Sequence, residues 1–541
     1  MKDLHLLSIA DAGKLIRARQ LSPVELTDAL LCRIADLNPQ IDAFITLTAE
    51  RAREQAKKAE QEIVKGGSRG PLHGIPFGLK DIYDTKGILT SGHSKVCMAN
   101  VPASDAAATK ALYDAGAVLL GKLSTHEFAH GGPSFDLPWP PARNPWRPAH
   151  FSGGSSSGSA AALAAGFLPA ALGTDTGGSI RGPSSFCGVV GLKPTYGLVS
   201  RAGVMTNSFT FDHCGPMARS VEDCALLLQA IAGYDARDPA SVKREVQDYR
   251  AALTQDIKGL RIGIVRHFWE EDVPTHPDLA RAMENAIGVF KQLGARVEDC
   301  RLPPLADSVD IKMIIGESEI FSVHFNHLVE RPGDFGRDFL GRILPACLFQ
   351  ATDYVEACRE RTRILASMEP LYEKYDVLLT QGLGPAPRLD TYKTASAWMN
   401  LNPFTPFSVA AGPALVLRCG FSTAGLPLGM QIAGRPFGER EVLRAGFAYE
   451  RAAGWDSTWP RIEPAAPVPI ASIENERSIP DSTLDSDARS FVISAAAKAG
   501  LQLDDRQTSI LLESAPHALS TARRIRKRRD MTDQHSLVFT H

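Results

Sequence analysis

Along the first half of the chain, apolar residues return every three or four positions over roughly 24–37, 48–65, 105–116 and 220–233, a spacing that predicts amphipathic helices. An amphipathic helix also opens the chain, and a second is entered at Ser22-Pro23, a cap and first-turn pair. Between the helices stand short runs of β-forming residues, at 117–120 and 260–265. The stretch 276–375 is helical in pattern apart from a strand-like 295–298, and strand-like runs return at 377–380, 414–417 and 428–432. Helices alternating with short buried strands predict an α/β fold around a mostly internal sheet. No internal repeat is visible.

From Trp459 to about Thr483 the pattern dissolves into proline, serine and alternating charge, which reads as a linker over 459–484. Two further helices are predicted beyond it, from Asp485 to Lys498 and from Asp505 to Arg529. The expected organisation is therefore a catalytic domain over 1–458, the linker, and a small helical module over 485–541.

Composition narrows the function classes. The 541 residues carry a formal net charge of −2, which offers no general attraction to nucleic acid or to acidic membrane surfaces. The basic run Arg523 to Arg529 is one helix face in that balanced chain and reads as a solvated or interface surface. Nine cysteines are scattered without a C-x-x-C pair, as expected of buried thiols in the cytoplasm. The N-terminus lacks the unbroken apolar core of a signal peptide, and the apolar run 160–172 is too short to span a bilayer. No membrane association and no nucleic-acid partner are expected.

His126-Glu127-Phe128-Ala129-His130 matches the H-E-x-x-H pattern of zinc peptidases. Gly131, Gly132 and Pro133 would stop the required helix at the second histidine, and His150 fits no common third-ligand spacing, so no metal is expected.

The chemistry lies in Phe151 to Pro183, FSGGSSSGSAAALAAGFLPAALGTDTGGSIRGP, where two glycine-serine loops flank a segment suited to a close-packed helix. A solvated linker would not run straight into so apolar a stretch. A phosphate cradle is disfavoured, because neither loop is followed by Gly-Lys-Ser/Thr and no G-x-G-x-x-G pattern is present in context. Ser179, preceded by Gly177 and Gly178, could instead attack a carbonyl while converging backbone N–H groups hold the oxyanion. Such a serine needs a base. Lys80, at the end of the apolar run GIPFGLK, has the setting in which burial would leave an amine neutral.

These residues resemble the amidase signature family of serine hydrolases. The resemblance rests on GIPFGLKD, GGSSSGSAAALAAG, GTDTGGSIRGPSSFCGVVGLKPT, FDHCGPMARSVEDCALLL and GLPLGMQIAGRPF, and covers Met1 to about Trp455. It implies a large mixed twisted sheet covered by helices on both faces. It also implies Ser179 as nucleophile, Ser155 as a bridging serine in a cis peptide and Lys80 as base. Thr176, Gly177, Gly178 and Ser179 are then the oxyanion hole, and no cofactor is required. Ser156 and Ser157 compete with Ser155 on sequence grounds, and a spacing of 24 residues to Ser179 favours Ser155. Asp175 and Arg181 are expected to brace the nucleophile loop, a plain loop salt bridge being the alternative. His213 beside Asp212 imitates part of a Ser-His-Asp triad but is expected to be structural.

Phe128, His130, Gly131 and Gly132 are candidate pocket residues, and the stiff loop 136–141 could border the substrate or simply pack. Ser408, Ala410 and Arg418 depart from the usual family pattern in a region expected to shape the pocket. The tail resembles the small companion subunit of a carboxybiuret hydrolase and of tRNA-dependent amidotransferases. The leading expectation is an amidohydrolase acting on a small carboxamide, ureido or aryl-amide substrate, as a homodimer by analogy. The alternatives are the glutaminase subunit of a tRNA-dependent amidotransferase and a non-catalytic assembly protein.

Overall fold

The computed structural model describes residues 3–394, 398, 400–455, 458–464, 466 and 484–527. Its second helix begins where the Ser22-Pro23 signal places it, and the first is capped by a serine as well. In α1 (Ile9–Arg17) the Ser8 side chain accepts from the Asp11 N–H; in α2 (Pro23–Ile41) Ser22 accepts from Val24 and Glu25. Pro23 occupies the first helical position, where its missing N–H costs nothing.

Among the described residues the chain builds a mixed sheet of eleven strands. Its members in chain order are β1 (Phe44–Leu47), β2 (Pro76–Lys80), β3 (Val118–Leu123), β6 (Ala170–Asp175), β7 (Val190–Lys193), β8 (His213–Ala218), β9 (Arg261–Ile264), β10 (Arg296–Asp299), β11 (Val377–Gln381), β12 (Ala414–Phe421) and β13 (Pro427–Ala433). A separate hairpin pairs β4 (Arg143–Asn144) with β5 (Arg147–Phe151). The spatial order is β1-β3-β2-β6-β8-β7-β12-β13-β11-β9-β10. β2 runs parallel to β3 and β6, and β9 runs parallel to β10 and β11, while the pairs between these groups are antiparallel. Every residue of β2, β3, β6, β7, β8, β11 and β13 is buried, as strands covered on both faces must be.

The covering helices include α3 (Ala49–Val64), α4 (Ala107–Asp114), α5 (Ser157–Ala164), α6 (Arg181–Cys187), α7 (Val221–Ile231), α8 (Pro277–Gln292), α9 (Leu305–Glu330), α10 (Arg337–Ile343) and α11 (Ala351–Lys374). The alanine-rich α5 is buried at every position, so its small side chains let it lie close against the strands. No described helix is long and apolar enough to cross a membrane.

The two predicted C-terminal helices form over Ser486–Lys498, capped by Asp485, and Asp505–Lys527. They pack against α9, α10, α11 and the turn Leu344–Leu348 rather than standing clear of the body. Residues 459–464 of the expected linker lie on the body, where Gln40 Nε2 donates to the Glu463 carbonyl and the Arg418 guanidinium sits 5.4 Å from the Trp459 ring centre. Residues 465 and 467–483, and 528–541 with Arg528 and Arg529, lie outside the described residues.

Candidate active site

Parallel pairing of β2 with β6 brings the C-terminal ends of two buried strands together, with Leu79 opposite Leu172. Lys80 closes β2 and is fully buried. Its Nζ donates to Ser155 Oγ at 2.7 Å and to Thr174 Oγ1 at 2.8 Å. Burial pushes the Lys80 amine down to about 7, and the negative fields of Asp175 and Asp212 offset this only in part.

Ser155 follows a cis peptide bond from Gly154. A side chain at Gly154 would drive its Cβ to 2.0 Å from His126 Cε1, so that position admits no larger residue. The neighbouring serines are otherwise engaged. Ser156 Oγ donates to the Thr174 carbonyl and accepts from the Thr174 N–H, and Ser157 Oγ donates to the Ser124 carbonyl. Of the three, Ser155 is the one whose hydroxyl meets Lys80. Ser155 Oγ donates in turn to the Ala129 carbonyl at 2.7 Å, which also accepts from Asn207 Nδ2 at 2.9 Å. Phe128 and Ala129 both hold positive φ, 48° and 59°, a costly pair for residues with side chains, and this turn faces the carbonyl toward Ser155. Sequence reasoning missed Ala129 and Asn207, whose roles are a backbone carbonyl and a distant amide without any motif. Thr174 stood inside the quoted GTDTGGS stretch and was legible there as a hydroxyl one strand residue from the loop.

The Ser156 N–H donates to the Ser179 carbonyl at 3.1 Å, which fastens the two glycine-serine loops together. Ser179 is partly exposed on a cavity of about 490 Å³. The loop leading to it is held by Asp175, whose carboxylate accepts from the N–H groups of Gly178, Ile180 and Arg181. The same carboxylate takes Arg181 Nε at 2.9 Å and Nη2 at 2.8 Å. Burial alone would raise the Asp175 carboxyl; the Arg181 charge and hydrogen bonds hold it well below the usual carboxylate range. Arg181 is itself fully buried and donates to the Phe404 carbonyl, Gln431 Oε1 and Ser408 Oγ. Of the four residues expected to form an oxyanion hole, one has its N–H already engaged. Gly178, at φ 126°, directs its N–H to Asp175, whereas the N–H groups of Thr176, Gly177 and Ser179 have no acceptor among the described residues.

His130, Gly131 and Gly132 line the cavity together with His126. Phe128 does not, contrary to expectation: it is buried in an aromatic cluster, its ring centre 4.2 Å from that of His324 and 5.6 Å from that of Phe339. The loop 136–141 does not line it either. Asp136 instead accepts from the Arg337 N–H and from Arg506 of the C-terminal helix, so this loop ties α10 to the tail. Ser408, Ala410 and Arg418 are absent from the wall. Ser408 serves Arg181, and Arg418 donates to the carbonyls of Trp455 and Thr458.

The H-E-x-x-H stretch forms a short 3-10 turn, Glu127–Ala129. His126 Nδ1 lies 2.7 Å from the Gly131 carbonyl and its ring stacks on Phe151, while His130 Nε2 lies 2.8 Å from Glu317 Oε2. Glu127 accepts from Ser94 Oγ and the Gly336 N–H, and burial pushes its carboxyl up to about 8. His213 Nδ1 faces the carbonyls of Phe211 and Asp175, so it serves the backbone beside the loop. Cys187 and Cys214 are buried free thiols.

Residues 25–443 match the family model described as Amidase. The A-type subunit of the glutamyl-tRNA(Gln) amidotransferase of Geobacter metallireducens is 40% identical over 481 residues, covering 84% of this chain and 98% of the relative. The peptide amidase from Stenotrophomonas maltophilia superposes with a TM-score of 0.72 at 31% identity, over 84% of this chain and 98% of that one. A chain solved in work on a vestigial protein complex and the origins of an s-triazine catabolic enzyme superposes with a TM-score of 0.76, also at 31% identity, over 84% of this chain and all of that one. With a buried lysine joined to a serine beside a glycine-rich loop, and a family match over most of its length, this chain belongs to the amidase family.

Proposed function

We propose that the protein hydrolyses the C–N bond of a small amide through an acyl-enzyme on Ser179, releasing ammonia or an amine. The observation that carries this reading is the contact of the buried Lys80 amine, lowered to about 7, with Ser155 Oγ at 2.7 Å. A neutral amine has one lone pair and two N–H bonds. One N–H serves Thr174 while the lone pair accepts the Ser155 proton, which reverses the direction of that hydrogen bond. Ser155 then accepts the proton of Ser179 as Ser179 Oγ attacks the carbonyl carbon. The N–H groups of Thr176, Gly177 and Ser179 hold the oxyanion, a contribution of about 3 kcal/mol for one such donor in enzymes where it has been removed. Lys80 returns its proton through Ser155 to the leaving nitrogen as the C–N bond breaks. Water repeats the same proton path to release the acid.

A second reading, the glutaminase component of a tRNA-dependent amidotransferase, is favoured by the 40% identity to the Geobacter protein. It makes glutamine the amide and a larger partner the ammonia acceptor. The packed C-terminal helices favour a companion module acting in cis, with 1–458 as catalytic domain. A homodimer in the cytoplasm belongs to the same proposal and is supported by the resemblance. A non-catalytic role is opposed by the joined Lys80 and Ser155.

Ammonia release from a panel of small amides, ureido compounds and glutamine tests these readings, with and without tRNA and the large partner of an amidotransferase. Release by the wild type that is lost in Ser179→Ala and survives a chelator is expected. Activity lost to the chelator and retained by Ser179→Ala would overturn the serine mechanism. Glutamine turnover stimulated by the partner and tRNA would select the second reading.

A further inference from the structure

Among the described residues, the cavity at Ser179 is lined by two cationic side chains, Lys312 and Arg342, and by no aspartate or glutamate. The two cations are held differently. Arg342 donates to Asp338 at 3.2 Å and to the Tyr392 hydroxyl at 2.5 Å, so its charge is met within the wall. Lys312 has one hydrogen bond among the described residues, a long one of 3.4 Å to Glu317 Oε1. An ammonium carries three donors, so at least two are left for a ligand. Its stem lies along the nucleophile loop: a Cβ built on Gly177 would sit 3.2 Å from Lys312 Cε.

Glu317 is fully buried behind this surface. One oxygen faces Lys312, and the other lies 2.8 Å from Nε2 of His130, a second lining residue. Burial would raise the Glu317 carboxyl, but His130 and Lys312 hold it down at about 2. A buried carboxylate thus fixes two basic side chains that face the cavity, while the nearer charge presented to a ligand is positive.

We propose that Lys312 binds a carboxylate carried by the amide substrate, with Glu317 as the positioning residue that aims Lys312 and His130. The inference rests on Ser179 being the nucleophile and adds the substrate class and the residue that selects it. Because Lys312 runs beside Gly177, the carboxylate lies only a few bonds from the scissile carbonyl. This describes short ω-amides of dicarboxylic or amino-dicarboxylic acids.

The test compares the full-length enzyme on the monoamides of malonic, succinic and glutaric acid with propionamide, butyramide and valeramide, in which a methyl group replaces the carboxylate. At least one acid is expected to be preferred over its neutral partner. Lys312→Met should reduce that preference about 10- to 100-fold, the range of a lost charge-assisted hydrogen bond, through KM rather than kcat. Glu317→Gln should reduce it by a smaller factor, and Lys312→Arg should retain most of it. Calorimetric binding of the same monoamides to Ser179→Ala, with and without Lys312→Met, reads the contact without turnover. Turnover without any preference, or equal losses on both series in Lys312→Met, overturns the carboxylate site and leaves the serine reaction standing. Binding that depends on Lys312 without turnover of any amide keeps the site and sinks the reaction. Neither turnover nor binding overturns both.

Discussion

In the proposed mechanism Lys80 is the base, and its usefulness comes from where β2 ends. Its folded-state amine titrates near 7 rather than in the ordinary lysine range, because burial penalises the ammonium more than Asp175 and Asp212 reward it. The base must be neutral to accept a proton, so kcat/KM should rise about tenfold per pH unit below about 7 and level off above it. A profile from pH 5.5 to 9 on the wild type checks this, and a flat acid limb would remove Lys80 from the role of base. Lys80→Met should lower kcat by about 10²- to 10⁴-fold and abolish that limb. The same shift has a stability sign. The unfolded chain binds the Lys80 proton up to the ordinary lysine range and the folded one only up to about 7, so this residue's penalty is full below 7 and is lifted as pH rises between the two values.

At the level of elements, the glycine-rich loop that bears Ser179 is clamped from both sides by Asp175 at the end of β6 and Arg181 at the start of α6. Arg181 makes hydrogen bonds to four residues, Asp175, Phe404, Gln431 and Ser408, and no other side chain has a planar fork able to do so. Arg181→Met leaves the Asp175 carboxylate buried without its guanidinium, which should cost about 3–5 kcal/mol. The denaturant midpoint should fall and kcat with it, and Asp175→Asn in the same chain should restore part of the midpoint. A wild-type midpoint in Arg181→Met would show the pair to be incidental. The brace was legible in sequence because both residues lie within one glycine-rich motif, as were the helix at Ser22-Pro23 and the strand ending in Lys80. What was not legible depends on distant segments meeting. Phe128 sits in a stretch that touches the cavity at His126, His130 and Gly131, yet its own left-handed backbone swings the ring into the cluster around His324 and Phe339. Lys312 and Glu317 lie five residues apart in α9, outside the three- and four-residue spacings that mark helix-face neighbours, and nothing in that spacing announces the glycine-rich loop that Lys312 meets.

Across the whole molecule, the C-terminal helices connect to the cavity through the elements that carry its cations. Ile510, Leu511, Leu512 and Ile525 are 0–2% exposed against α9, α10, α11 and their connecting turn, and each such side chain withdrawn from water is worth about 2 kcal/mol. Arg524 pairs with Asp310 at 2.6 Å and Arg526 with Asp353 at 2.7 Å, which anchors two arginines of the basic run to the body. Asp310 lies two residues before Lys312 on α9, and Arg337, paired with Glu513, opens the helix that bears Arg342. Net domain stabilities are about 5–15 kcal/mol, so loss of this packing is large on that scale. A chain ending at residue 484 should therefore show a lower thermal midpoint, increased light scattering and weakened amide hydrolysis with a raised KM, and a separately expressed 485–541 segment added in trans should recover part of each. Leu511→Asp, which buries a charge in the same interface of the intact chain, should reproduce the direction of the truncation. Unchanged midpoint and KM in both variants would mean that the tail rests on the body without supporting it.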